Sequence, residues 1–187
     1  TLANCTLSNC SFIGNKATWG GGVYWYGANG RLSDSNFINN SASIQGNGAL
    51  TQGGGVYWHG ANGILISCTF KGNIAGSSNE NAGGGGIYWG GAKGILNSST
   101  FTNCSSNYGG AVCWEHLNGT LSDCTFTSNN AFHSGGAIYW SSYVENGICY
   151  GDNGTVFNSI FSNNNAPYGG SIYWGGANGA IISCNFV

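Results

Sequence analysis

Apolar and small residues alternate along the chain in a short unit that recurs through its whole length. Its most distinctive part is a Gly-Gly-small-aliphatic-aromatic-Trp segment, whose six copies end at Trp25, Trp58, Trp89, Trp114, Trp140 and Trp174. A Gly turn, an aliphatic residue and, five residues later, a Phe complete the unit, and these phenylalanines are Phe12, Phe37, Phe70, Phe101, Phe126, Phe161 and Phe186. Short alternation without a sustained period of 3.6 predicts β-strands and no helices.

The spacing of these phenylalanines predicts the architecture. Successive members are 25, 33, 31, 25, 35 and 25 residues apart, so 25 residues form the unit and the longer steps hold insertions near 43–52, 76–83 and 141–152. Each unit contains three strand-like pieces and is shorter than a propeller blade of about 40 residues. We therefore predict one all-β domain over 1–187, a single right-handed parallel β-helix. It would have about seven partial, three-sided coils of 25–35 residues, stacked about 4.8 Å apart.

Side-chain parity within each strand assigns columns to this solenoid. The aliphatic residue and the Trp two positions later share a face, so we expect the tryptophans to stack in the core, together with the Phe column. The residue between them then points outward, and this outward ladder consists of Tyr24, Tyr57, Tyr88, Tyr139 and Tyr173, with Cys113 in the sixth copy. Stacked outward rings could bind sugars, cover an interface or simply pack on each other.

An asparagine column is expected at one corner of the coils. Three residues after most of the phenylalanines comes an Asn, with Cys104 as the exception, and the column comprises Asn15, Asn40, Asn73, Asn129 and Asn164. Stacked side-chain amides can satisfy one another and the backbone of the corner, so we predict an asparagine ladder.

The composition excludes several classes of protein. Only 5% of residues are charged and the formal net charge is -2, so the chain has no basic surface for nucleic acid. The apolar runs are too short for a membrane-spanning helix. A hydrophobic fraction of 41%, including 14% aromatic residues, supplies a core and argues against disorder. Low charge suits a solenoid, because like charges stacked in register would repel.

The two recurring motifs together resemble a known family. The Gly-Gly-Ala-Ile segment at 135–138 and the Phe-x-x-Asn segments that begin at Phe12, Phe37, Phe70, Phe126 and Phe161 are similar to the repeats of chlamydial polymorphic outer membrane proteins and related adhesin-like proteins. The resemblance covers essentially the whole chain. It implies a secreted or surface-exposed β-helix that serves in adhesion or as a stalk. The Trp that follows Tyr departs from the small residue usual in those repeats.

Eight cysteines are distributed without metal-binding spacing. Those at 10, 68, 124 and 184 share one column in alternate coils, about 9.6 Å apart, which is too far for a disulfide. We expect small buried thiols there, exchanging with Ser. Cys113 in the outward ladder and Cys149 in the next insertion form the best single candidate for a disulfide. No metal site or cofactor is predicted.

The sequence contains glycosylation sequons and one pair of neighbouring acidic and histidine residues. Sequons at Asn39, Asn103, Asn118 and Asn153 fall at predicted corners, and we expect these to be the ones glycosylated in a glycoprotein. Glu115 and His116, near Asp152 by stacking, form the sole acid/His constellation. We interpret it as a solvated turn and predict no catalytic residues.

We expect a non-enzymatic extracellular or cell-surface protein with a structural or adhesive function, a subunit of a filament or stalk. The chain begins and ends inside a repeat. It therefore either continues in a longer solenoid or stacks head to tail with other copies. Surface glycans are further candidate partners. The alternative hypothesis is a carbohydrate-binding or polysaccharide-processing β-helix.

Overall fold

The computed structural model describes residues 4–43, 50–76, 82–141, 144–145, 148–149 and 152–187. Its strands build four parallel sheets, in which each strand pairs with the equivalent strand of the coils before and after it. The molecule is thus an all-β parallel β-helix, as predicted. Within the described ranges, the chain forms no helix long and apolar enough to cross a bilayer.

The first two sheets contain seven strands each. The first holds the aliphatic column and consists of β1 (Thr6–Ser8), β5 (Arg31–Ser33), β9 (Ile64–Ile66), β13 (Ile95–Asn97), β17 (Thr120–Ser122), β23 (Thr155–Phe157) and β26 (Ala180–Ile182). The second holds the Phe column and consists of β2 (Ser11–Ile13), β6 (Asn36–Ile38), β10 (Thr69–Lys71), β14 (Thr100–Thr102), β18 (Thr125–Thr127), β24 (Ile160–Ser162) and β27 (Asn185–Phe186).

The other two parallel sheets complete each coil. The third consists of β3 (Lys16–Ala17), β7 (Ser41–Ala42), β11 (Ile74–Ala75), β15 (Ser105–Tyr108) and β19 (Asn130–Ser134). The fourth holds the Trp column and consists of β4 (Val23–Trp25), β8 (Val56–Trp58), β12 (Ile87–Trp89), β16 (Val112–Trp114), β20 (Ile138–Trp140) and β25 (Ile172–Trp174). A separate antiparallel pair, β21 (Val144–Glu145) and β22 (Ile148–Cys149), lies in the third predicted insertion. Most of the other insertion residues lie outside the described residues.

A complete coil therefore has four strands, and the expectation of three pieces is wrong. A left-handed residue separates the aliphatic strand from the Phe strand in every coil, and this column consists of Asn9, Asp34, Ser67, Ser98, Asp123, Asn158 and Ser183. Each of these residues has a φ between 47° and 55°, which turns the chain sharply within one residue. Asn and Asp tolerate this conformation better than other side chains, whereas the serines give no such signal.

The core is a set of columns in which like residues stack on like. Neighbouring Trp rings have centroids 4.6–5.0 Å apart, and neighbouring Phe rings 4.7–4.9 Å apart. The Trp and Phe side chains of the central coils are fully buried. Strand pairing places each residue on its counterpart, so the ring spacing equals the spacing of parallel strands.

Two glycine positions explain why glycines recur at the corners of the repeat. Gly20 has a φ of 60°, and a Cβ there would lie 2.1 Å from the carbonyl oxygen of Val23. Gly30 lies directly against the indole of Trp25, where a Cβ would be 2.3 Å from Nε1. The corners therefore exclude side chains both through backbone conformation and through the width of the Trp ring.

Candidate functional site

The outer face of the fourth sheet carries the tyrosine ladder. Tyr24 stacks on Tyr57 at 5.0 Å with planes 1° apart, and Tyr57 stacks on Tyr88 at 5.1 Å. On the far side of the Cys113 coil, Tyr139 and Tyr173 continue the ladder at 5.1 Å. The ladder thus has two stacked parts with one Cys between them.

The column lies on the outer face, as parity predicts, but its middle is covered. Cys113 is 2% exposed and Tyr88 is 6% exposed. Gly83 covers both, since a Cβ at Gly83 would lie 3.0 Å from the Cys113 sulfur and 3.4 Å from the Tyr88 ring. The alternation of side chains along the strand correctly predicts which residues lie on the outer face. Whether those residues are exposed depends on a neighbouring segment that varies between coils.

An open cleft of about 480 Å³ lies where Cys113 interrupts the ladder. Tyr88 and Tyr139 come from the coils on either side of Cys113, and Tyr108 comes from the adjacent third sheet. The rings of Tyr108 and Tyr139 have centroids 5.0 Å apart and planes inclined by 56°. Their tilt forms an aromatic corner rather than a flat stack. Glu115 completes the wall.

The Glu115 carboxyl group is half-buried and contacts polar atoms of its neighbours. Burial raises the pKa of this carboxyl, and the Tyr88 hydroxyl, which donates a hydrogen bond to Oε2, partly offsets that rise. The Cys113 sulfur lies 4.0 Å from Oε1. Burial, followed by the charge of Glu115, raises the pKa of both Tyr88 and Cys113. Glu115 is half-buried and directly precedes the turn at 116–118, so it is less solvated than the sequence interpretation assumed.

The other members of the predicted acid/His constellation do not join Glu115 in the cleft. Asp152 accepts a hydrogen bond of 2.8 Å from the backbone N–H of Ala177 in the next turn. His116 is half-buried outside the cleft lining, and burial, followed by the charge of His59, lowers its pKa. The cleft thus contains one described carboxylate among hydroxyl, thiol and aromatic groups. Such a set can bind and orient a ligand.

A second aromatic feature lies on the same face at the first two coils. Trp19, Tyr24 and Tyr26 are exposed, and the Trp19 ring lies 6.2 Å from that of Tyr24 and 6.0 Å from that of Tyr57. Tyr26 stacks on His59 at 4.8 Å. We call these five residues the exposed aromatic patch. Trp19 precedes the repeated segment and the sequence analysis did not single it out, although it is the one Trp outside the Trp column.

The asparagine column forms a hydrogen-bonded ladder at one corner. The backbone N–H and Nδ2 of Asn40 donate to Oδ1 of Asn73 at 2.9 and 3.1 Å, and Nδ2 also donates to the Phe12 carbonyl at 2.8 Å. The same pair of amide contacts joins Asn15 to Asn40 and Asn129 to Asn164. At Cys104 the backbone N–H still donates to Asn129 Oδ1 at 3.0 Å, so the ladder loses one amide there but not its backbone contact.

The predicted Cys113–Cys149 disulfide is absent from the structure, in which Cys113 is a free thiol. The side chain of Cys149 lies outside the described residues. In the cysteine column, Cys68 and Cys124 are buried free thiols, and each donates to the carbonyl two residues earlier. Ser35 and Ser99 in the same column make the equivalent bond, which explains why Cys and Ser exchange there.

The four selected sequons lie on exposed corners. Asn39, Asn103, Asn118 and Asn153 are all exposed and have φ values of 53–57°. Their side chains project from tight turns into solvent. Glycosylation at these positions stays a prediction.

Comparison with known proteins identifies one family. The family model described as a right-handed beta helix region matches residues 1–187. No curated protein and no solved structure matches the chain. Among the residues that the structure describes, no group of three or more His, Cys, Asp or Glu side chains is arranged to hold a metal ion.

Proposed function

The chain belongs to the right-handed β-helix family, and we propose that it is a non-enzymatic structural and adhesive protein of the extracellular or cell-surface space. In this proposal it is a rod that assembles head to tail, coil on coil, into a filament or stalk. The uninterrupted columns of like residues support a rod, because each coil is stabilised by the coils before and after it. The similarity of its repeats to those of adhesin-like proteins supports the location.

The single observation that carries the proposal is the in-register stacking of like residues from coil to coil. Neighbouring rings of the Phe column lie 4.7–4.9 Å apart along its whole length, and each strand pairs in parallel with its counterpart in the next coil. A coil of a second copy carries the same columns at the same spacing and can stack in the same register. A head-to-tail contact of this kind that does not close gives a filament.

Sedimentation velocity on the purified chain tests this assembly. A charge in the Phe column should prevent a second copy from stacking on it, so Phe186→Lys should sediment as a single short species while the unmodified chain forms longer species as concentration rises. Ile182→Lys is the matched control, since Ile182 lies on the same coil and is exposed but belongs to the outward parity of its strand. Equal, concentration-independent sedimentation of all three proteins would overturn the proposal.

A second candidate function, carbohydrate binding, is favoured by the exposed aromatic patch. Trp19, Tyr24 and Tyr26 present ring faces and edges to solvent, and such rings pack against the apolar faces of sugars. A glycan array probed with the chain and with Trp19→Ala and Tyr26→Ala tests it. Selective binding that both substitutions remove would support this function, and the absence of binding to any glycan would contradict it.

A further inference from the structure

The Cys113 coil lacks one rung of the tyrosine ladder. Cys113 pairs in register with Tyr88 on one side and with Tyr139 on the other, so a thiol occupies the place of a phenol. Beside it, Gly83 bridges to Tyr108 and packs over the Cys113 thiol. The cleft of about 480 Å³ lies next to this covered thiol.

The cleft has room for one compact group beside an aromatic corner. Its volume is about 480 Å³. Tyr88 is nearly buried, whereas Tyr108 and Tyr139 are half-buried and supply the ring surface. Their rings lie 5.0 Å apart and are inclined by 56°. A small group in the cleft can therefore contact tyrosine rings in two orientations.

The charge of the cleft favours a cationic ligand over an anionic one. Glu115 contributes a carboxylate, which accepts a hydrogen bond from the Tyr88 hydroxyl and lies near the Cys113 sulfur, and no Lys or Arg side chain of the described residues pairs with it. All four Lys and Arg residues of the chain are exposed: Lys16, Arg31, Lys71 and Lys93. A desolvated carboxylate without a cationic partner is costly, and a bound cation would remove that cost. An anion would meet the Glu115 charge and the negative faces of the rings, and is disfavoured.

We propose that the cleft formed by Tyr88, Tyr108, Cys113, Glu115 and Tyr139 binds a compact organic cation of the alkylammonium class, such as a quaternary ammonium headgroup. The tyrosine faces attract the cation through their quadrupoles. The Glu115 carboxylate supplies the neutralising charge. The inference rests on the cleft alone and does not depend on head-to-tail assembly.

Isothermal titration calorimetry with choline at pH 7.5 tests the proposal, with 3,3-dimethylbutan-1-ol as the matched neutral probe. The two probes have nearly the same shape and differ in the charge of the central atom. Choline should bind at least about tenfold more tightly, because the neutral probe gains neither the cation–π attraction nor the carboxylate. N-acetylglucosamine serves as a third probe for a sugar site.

Two variants report on the cleft by different routes. Glu115→Gln removes the charge at constant shape, and Cys113→Tyr fills the missing rung with the residue of the neighbouring coils, so each should abolish choline binding. Asp34→Asn is the control, since Asp34 is an exposed carboxylate outside the cleft and its loss should change nothing. Circular dichroism establishes that each variant retains the fold of the unmodified chain.

Three results would overturn the proposal. The first is equal binding of choline and the neutral probe, and the second is undiminished choline binding by folded Glu115→Gln or Cys113→Tyr. The third is the absence of choline binding, with or without binding of N-acetylglucosamine. Because choline is monovalent and small, its binding is measured equally well on single chains and on filaments, so this outcome is independent of the sedimentation result.

Discussion

The indole ring of Trp89 stacks on the indole ring of Trp114 with centroids 4.7 Å apart and planes within 1° of parallel. Both side chains are fully buried. Each ring shares the interior of its coil with the Phe and aliphatic columns, and stacked aromatic pairs add to the stability gained from burial alone. Continuity of the Trp column therefore contributes to the cohesion between coils.

Truncation of one Trp should break that continuity. Trp114→Ala removes contacts to both neighbouring indoles, and we expect it to lower the free energy of unfolding by about 3–5 kcal/mol, as large aromatic truncations in cores do. Urea unfolding followed by circular dichroism measures this. Trp19→Ala is the control, because Trp19 is exposed, and it should cost about 1 kcal/mol or less. Equal losses for the two variants would contradict the Trp column as a source of cohesion.

The corner glycine that packs against each Trp ring should tolerate no side chain. A Cβ at Gly94 would lie 2.3 Å from the Trp89 ring, so Gly94→Ala should lower the free energy of unfolding by about 1–3 kcal/mol through overpacking. Gly14 is the matched control, since its φ is 67° but nothing lies within 4 Å of its Cβ position. Gly14→Asn should stay within about 0.5 kcal/mol of the unmodified chain. A tolerated Gly94→Ala would show that the Trp ring can shift.

The asparagine ladder should be sensitive to the loss of a single amide. Asn73 is fully buried, accepts from the backbone N–H of Asn40 at 2.9 Å and donates to the Phe37 carbonyl at 2.8 Å. Asn73→Ala leaves those buried groups unsatisfied and should cost about 1–3 kcal/mol. Asn36→Ala, at an exposed strand position, should be near neutral in the same unfolding experiment. Neutral behaviour of both variants would contradict a stabilising ladder.

The buried thiols should make the fold sensitive to alkali. Burial raises the pKa of Cys68 to about 11 and that of Cys124 to about 12, from 9.0. Because the unfolded thiols lose their protons first, the free energy of unfolding is unaffected by these groups below pH 9. It falls as the pH rises from 9 towards 11–12. The double variant Cys68→Ser and Cys124→Ser, with the residue that already stands at Ser35 and Ser99, should lose less stability over that range. Identical pH profiles would contradict this assignment.

The repeat revealed most of the fold because every column is visible as a column in the sequence. Gly-Gly, Trp and Phe each occupy one structural position, and stacking enforces the same residue in each coil. The sequence did not predict the fourth side of the coil, because residues as different as Asp34 and Ser67 adopt the same left-handed conformation at the corner. The similarity there lies in backbone geometry, and Ser carries no strong signal for it.

The cleft could not be predicted from the repeat because it depends on departures from it. Cys113 marks the gap in the tyrosine ladder, and the sequence shows that residue plainly. The covering of Cys113 depends on Gly83, which follows an insertion whose path no periodicity encodes. The half-burial of Glu115 has no counterpart in the repeat either, so it became visible only in the structure.

Electron microscopy of the purified chain at neutral pH, without crosslinker, tests the central claim of coil-on-coil assembly most directly. The account predicts continuous unbranched filaments in which each chain contributes about seven partial coils, an axial repeat of about 34 Å at 4.8 Å per coil. It also predicts that Phe186→Lys shortens the filaments while Ile182→Lys does not. Discrete particles of uniform length at every concentration would contradict it.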